Sequence, residues 1–460
     1  MGKKASGTDT RLYLGVDVGG TKIQASLIEE CGSIIARHKC PSPRKGGAKA
    51  IVKTIEEAIG QVLAEQEREA RSLAAMGIAI PGVVDPQTGR VVVTPNMELS
   101  GAPIVSQLEK KFAVPVALGN DCNLGTLGEH WLGAGRDAGS VVGIFVGTGI
   151  GAGFARQGQI WQGAREAAME IGHMIMEIGG PVCGCGGRGC LEAIASRSAI
   201  ERDIRAAVKR GKKTALTDLL DGKLAIIKSS ALREALKSKD KLVTDVMRRA
   251  SEILGYACIN IRHLLDPEVI VLGGGVIEAC SRFMLPIMQK IVDADQLPGA
   301  RDGGHVQLSR LGDDAVVLGA VALARQQVGR SPFDGECAMP EYPEVTADAF
   351  GRIGVGEETY EGDVYIRVNG KVKKRKKSLA KKEYGSSHRL GPQELEKVCR
   401  GGPQVLFVGA GHSEQLELTE EGAEFLRRRA IEVRRSATPQ AAREFNASTQ
   451  RRAGLFHVTC

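Results

Sequence analysis

This sequence has little of what would place it at a membrane or on a nucleic acid. The opening stretch 1–11 is polar, and the apolar run after it, 12–18, is short and broken by Asp17. Neither a secretion signal nor a bilayer span is expected, and the implied location is cytoplasmic. Charge of one sign is also scarce. The 62 Lys and Arg against 54 Asp and Glu leave a formal +8 spread over the whole length. That suits small anionic ligands such as nucleotides without arguing for nucleic acid. Aromatic residues make up only 4%, and few of them interleave the basic run 371–377 to stack bases, so that run reads as a solvated hairpin. Nor is there a disulfide framework. The eleven cysteines are odd in number, and three fall within 183–190. That clustering points to a metal site in a reducing compartment.

What is present is material for two or three compact units. The 460 residues exceed one ordinary domain, and 43% hydrophobic with 25% charged residues supports a sizeable core. The part before about 326 contains a disguised duplication. A β-rich run at 12–17 ends in an acid, turns at Gly19-Gly20, and continues as strands near 23–28 and 33–37. The pattern returns at 141–146, with the turn Gly147-Thr148-Gly149 and strands near 151–155 and 159–161. Apolar residues at helical spacing follow in each half: Ile51, Ile55, Ala58, Ile59 and Val62, then Ile253, Leu254, Ala257, Ile261 and Leu264. Compact apolar strands at 76–80 and 269–272 run into glycine. Two α/β halves, each opening on a glycine-turned hairpin, describe an enzyme with a nucleotide in the cleft between them. The expected fold is α/β, an actin-like (ribonuclease H-like) duplicated sugar-kinase fold. Its lobes would be roughly 11–125 and 126–326.

The chemistry follows from the same positions. After the first strand, Gly19 and Gly20 let backbone N–H groups approach phosphate oxygens, with Thr21 and Lys22 beside them. Asp17 is placed to hold Mg²⁺ through water. Gly147, Thr148 and Gly149 form the matching second turn, and Gly273, Gly274 and Gly275 end a strand where backbone can pack against adenine and ribose. Asn120-Asp121 follows an apolar run, so Asp121 is a candidate base for an attacking hydroxyl, and an Asx turn or helix cap is the competing use of the pair. His173 with Cys183, Cys185 and Cys190 makes a closed Cys₃His set suited to structural Zn²⁺, against the alternative of a Cys185–Cys190 disulfide. Glu170 and Glu192 flank that loop and suit a polyol pocket.

Taken together, Asp17–Lys22, Ile80-Pro81-Gly82, Asn120-Asp121, Gly147–Gly153, Glu170–His173, Cys183–Glu192 and Gly273–Gly275 resemble the ROK (repressor, open reading frame, kinase) family over 11–326. The resemblance implies an ATP- and Mg²⁺-dependent hexose kinase, glucose foremost, working as a homodimer or higher homo-oligomer. Asp121 would be the base, and Asn96, Asn120, Glu170, His173 and Glu192 would bind the sugar. An N-acetylhexosamine or fructose kinase and a non-catalytic sugar sensor remain alternatives. A repressor with an N-terminal DNA-reading helix pair is not expected, since only about ten residues precede the first strand. Positions 327–345, with Pro332, Pro340 and Pro343, read as a linker. Beyond it, 346–460 resembles a small α/β domain, the adipogenesis-associated family akin to a complex I assembly factor. The strings that carry this are Tyr384-Gly385-Ser386-Ser387-His388, Val408–Gly411 and Phe456–Cys460. His388, His412, His457 and Cys460 are more suited there to packing or hydrogen bonding than to a metal.

Overall fold

The computed structural model describes residues 11–94, 97–333, 342–347, 350–368, 370–399, 402–429 and 431–459. Its first sheet has five strands in the spatial order Ile34–Pro41, Lys22–Glu29, Leu12–Val18, Leu73–Ile80, Val116–Asn120. The first three are antiparallel and the last two join in parallel. The second sheet repeats that plan with Gln159–Ile160, Ile150–Arg156, Ser140–Val146, Val269–Gly273 and His305–Leu308. The duplication expected from the glycine turns is therefore present in both order and direction.

The helices follow from burial of one face. In Gly47–Ala64 the residues at helical spacing, Ile51, Ile55, Ala58, Ile59 and Val62, are all buried against the first sheet. In Lys241–Leu265 the same holds for Leu254, Ala257 and Ile261, but Leu264 is 74% exposed. It falls in the last turn on the side away from the core, which the neighbouring Leu265 meets instead.

Two helices trade places between the lobes. Asp121–Leu132 leaves the first sheet and lies on the second, where Gly143 and Gly153 make room for Thr126. Ala315–Gln327, the last helix of this unit, returns to cover the first sheet, resting on Gly15 and Gly77. The two cross at Gly128 and Gly319, where a Cβ on either glycine would run into the other helix's backbone.

The C-terminal unit is a separate α/β body. Its main sheet has the order Val372–Lys374, Val364–Ile366, Arg452–His457, Val405–Ala410, Glu432–Ser436. Phe407, Phe445 and Phe456 fill one face of it as edge-to-face pairs. The basic run does form a hairpin there with Lys373 and Lys374 outside. Arg375 breaks the expectation of a solvated run, because its side chain is fully buried between Asp363 and Glu394.

Candidate active site

Both glycine turns close at the same end of their sheets. Gly19 N–H donates to the Lys22 carbonyl at 2.9 Å, and Gly147 N–H to the Gly149 carbonyl at 2.9 Å. Thr21 is exposed at the tip of its turn. Lys22 Nζ lies 3.2 Å from Asp313 Oδ2. The second turn is held from outside, for Arg197 Nη2 donates to Thr148 Oγ1 at 2.6 Å and Ser198 Oγ to the Thr148 carbonyl at 2.8 Å. Sequence reasoning missed Arg197 and Ser198. Ser196, which caps their helix by accepting from the Ala199 N–H at 3.2 Å, was the sign available.

Asp17 lies near the end of the first strand, and Asp121 opens the helix that follows the fifth. Asn120 caps that helix, its Oδ1 accepting from the Cys122 and Asn123 N–H groups at 2.9 and 3.0 Å, while its Nδ2 donates to the Gly82 carbonyl at 2.9 Å. The capping use of Asn120 is thus realised. Asp121 Oδ1 accepts from Cys122 N–H at 2.8 Å, which fixes the carboxylate. Burial raises the Asp121 carboxyl, only partly offset by the Cys122 hydrogen bonds. Burial, then the nearby Asp121 charge, pushes Asp17 up to about 7, with Lys22 pulling the other way. The Cys122 thiol is pushed well up by burial and by the charges of Asp121, Glu170 and Asp17, so these three carboxylates share one neighbourhood. Cys122 itself lies against Gly151.

The Cys₃His set is assembled. Ligand atoms of His173, Cys183, Cys185 and Cys190 all lie within 4.8 Å of one another. Cys185 and Cys190 sulfurs are 3.8 Å apart, and Cys183 Sγ is 3.6 Å from His173 Nδ1. Thiolates about 2.3 Å and an imidazole about 2.0 Å from one tetrahedral ion would be separated by ~3.8 and ~3.6 Å. The donors therefore fit zinc, and the cysteines are free rather than bridged. His173 Nε2 faces away from the sulfurs, 3.9 Å from Glu170 Oε2. Glu192 ties the loop to the second turn, its Oε2 accepting from the Ile150 N–H at 2.9 Å beside Gly149.

Gly273 ends its strand and Gly275 begins the helix Gly275–Asp293. Between them Gly274, at φ +87°, packs on the backbone of Val146 just before the second turn, a placement no side chain tolerates. A further carboxylate went unnoticed in the sequence. Glu129, fully buried, accepts from Ser309 Oγ at 2.6 Å and the Leu311 N–H at 2.9 Å, anchoring the loop that leads to Asp313. Its sign was an acid inside the apolar stretch 124–131. Asn96 lies outside the described residues. In the C-terminal unit His388 and His457 rings meet at 5.2 Å, while His412 packs on Phe350 instead, and Cys460 lies outside the described residues. His457 Nδ1 is 2.6 Å from Asp363 Oδ2, the hydrogen-bonding role expected of it.

Both units resemble known proteins. Residues 345–456 match a family described as a protein of unknown function (DUF498/DUF598). Glucokinases from Halalkalibacterium halodurans and Thermotoga maritima are 34% and 32% identical over 318 and 317 residues, 69% of this chain and 96% and 98% of their own lengths. The DNA-binding transcriptional dual regulator NagC of Escherichia coli is 29% identical over 69% of this chain and 77% of its own. A ROK family glucokinase from Streptomyces griseus, solved with glucose and AMPPNP, superposes with a TM-score of 0.60 at 31% identity, covering 68% of this chain and 99% of that one. With residues 13–327 matching the family described as ROK, the chain belongs to the ROK family.

Proposed function

We propose that the ROK unit transfers the γ-phosphoryl group of ATP to a hydroxyl of a hexose, glucose foremost, with Asp121 as general base. The observation that carries this reading is the pair Asp17 and Asp121, two carboxylates withdrawn from water and close enough for Asp121 to raise Asp17, at the strand end that bears the first glycine turn and the start of the helix Asp121–Leu132. Phosphoryl transfer asks for positioning and charge stabilisation more than covalent chemistry. The free oxygen of Asp121 accepts the proton of the attacking hydroxyl, the new O–P bond forms, and the P–O bond to ADP breaks. Burial raises the Asp121 carboxyl, which makes it a stronger proton acceptor than an exposed aspartate. The N–H groups of Gly20, Thr21, Thr148 and Gly149 face the phosphates, Gly19 and Gly147 close the turns that present them, and Gly273, Gly274 and Gly275 face adenosine. Mg²⁺ bound with the nucleotide, near Asp17, supplies charge neutralisation.

Glu170, His173 Nε2, Glu192, the second amide hydrogen of Asn120 and Asn96 bind the other sugar hydroxyls. His173, Cys183, Cys185 and Cys190 hold zinc, whose contribution is to brace this loop. With His173 Nδ1 turned toward the cysteine sulfurs that would hold zinc with it, Nε2 would be left to donate to the sugar. A homo-oligomer fits the outward face of the loop, where Ile175, Ile178 and Val182 are exposed by 60% or more. The C-terminal unit is read as the adipogenesis-associated fold and is given no activity of its own.

The test is ADP release from Mg²⁺-ATP with glucose, mannose, fructose, N-acetylglucosamine and N-acetylmannosamine. Strong turnover on glucose is expected, and turnover on another sugar alone would reassign the substrate. Silence on all five with zinc bound favours the second reading, a non-catalytic sugar sensor, which the likeness to NagC supports.

A further inference from the structure

The C-terminal unit is docked on the ROK unit. Arg451 Nη1 donates to the Cys31 carbonyl at 2.8 Å, and Arg282 Nε lies 3.7 Å from Glu424 Oε1. Between the units is a cavity of about 790 Å³, within the range of small-molecule sites. Its floor includes Leu272, Ile277 and Glu278, which flank the glycine triplet at the strand end and on the first turn of the helix Gly275–Asp293. Tyr384, Phe425 and Arg429 of the C-terminal unit form a wall of the same cavity.

We propose that this cavity is the base end of the nucleotide site and that Phe425 and Arg429 contact the nucleobase. The inference rests on the kinase reading, for it takes the phosphates to lie at the two glycine turns. A nucleotide held there extends past Gly273–Gly275 and along the helix start, which leads onto this floor. The lining chemistry suits a flat, uncharged ring better than another anion, since four cationic side chains are balanced by four acidic ones and the remainder is largely apolar and aromatic. The Arg429 guanidinium lies 4.5 Å from the centre of the Phe425 ring, so both offer π faces at one place. Arg429 also reaches the floor. A Cβ placed on Gly312 would lie 3.6 Å from Arg429 Nη2 and 3.7 Å from Glu278 Oε1. The next residue, Asp313, pairs with Lys22 of the first phosphate turn at 3.2 Å. Base wall and phosphate turn are thereby joined through two adjacent residues. Residues 13–327 are the part held in common with the ROK relatives, and the wall at 384–429 lies outside it.

The experiment uses the full chain and calorimetric titration with Mg²⁺-ADP and, separately, glucose. Phe425→Leu keeps apolar volume without the ring, and Arg429→Gln keeps length without the charge. Each is expected to weaken ADP binding roughly 5–20-fold, as loss of a stacking partner does, with glucose affinity, zinc content and melting temperature unchanged. Unchanged ADP affinity in both folded variants would overturn the proposal. A wild-type chain that binds ADP yet phosphorylates no sugar removes the kinase reading and leaves this pocket standing.

Discussion

Asp17 and Asp121 in the ROK unit and Asp363 in the C-terminal unit are all carboxylates largely withdrawn from water, yet they titrate in opposite directions. Asp363 is surrounded by the groups that satisfy it: His457 Nδ1 at 2.6 Å, Arg375 Nη1 at 3.2 Å, Lys377 Nζ at 3.3 Å and the Val458 N–H at 3.2 Å. Burial alone would raise its pKa, but the hydrogen bond and charge of His457, then Val458 and Lys377, bring it down to about 2. For Asp17 and Asp121 burial is the largest influence, and it carries both up, with the Asp121 charge adding to the rise of Asp17. An acid whose charge the fold itself answers is part of the structure, whereas an acid left for something else to answer marks a site.

The largest effect that tests this contrast is on turnover. Asp121→Ala should cut kcat about 10²–10⁴-fold with glucose affinity largely retained, and the melting temperature should not fall, because an unfavourably buried charge is removed. Near-normal turnover would take Asp121 out of the base role. The opposite pattern is expected of Asp363→Ala. It leaves Arg375 and His457 without their shared partner and should destabilise the C-terminal unit by about 3–5 kcal/mol in urea unfolding, while kcat is retained.

Acid sharpens the contrast further. A carboxylate lowered to about 2 stabilises the fold fully above its unfolded pKa near 4 and loses that contribution as pH falls through 2. The C-terminal unit should therefore soften between about pH 4 and 2, and Asp363→Asn should flatten that limb. Asp121 is raised instead, so the acid limb of the kcat profile should lie above the ordinary carboxylate range. Next in size, Cys185→Ser should release zinc and raise KM for glucose about tenfold, read by metal analysis and kinetics, since the ligating loop presents His173 and Glu192. Smallest is Asn120→Ala, which removes a helix cap for about 1 kcal/mol of melting stability.

Local chemistry was legible in the sequence. The two glycine turns, the Cys₃His cluster and the buried stripe of Gly47–Ala64 each occupy a short window in which spacing alone is informative. Whatever depends on distant partners was not. Nothing near Arg375 announces that Asp363 and Glu394 will bury it, so it read as one more residue of a solvated run. Lys22 pairs with Asp313, a partner 291 residues away that no local window could show. Asn120 has the residue type of both a cap and a sugar ligand, and only the backbone geometry shows the first in use. The wall at Phe425 and Arg429 was out of reach because it exists only where two units meet.

The exchanged helices bear on the order in which the chain is made. The first sheet is translated early, but its covering helix is Ala315–Gln327, so one apolar face stays open until nearly three-quarters of the polypeptide has left the ribosome. Neither lobe can mature as a nascent half, and the crossing at Gly128 and Gly319 locks only when the later strand of code arrives. The C-terminal unit, emerging after it, meets a partner surface that has just been completed.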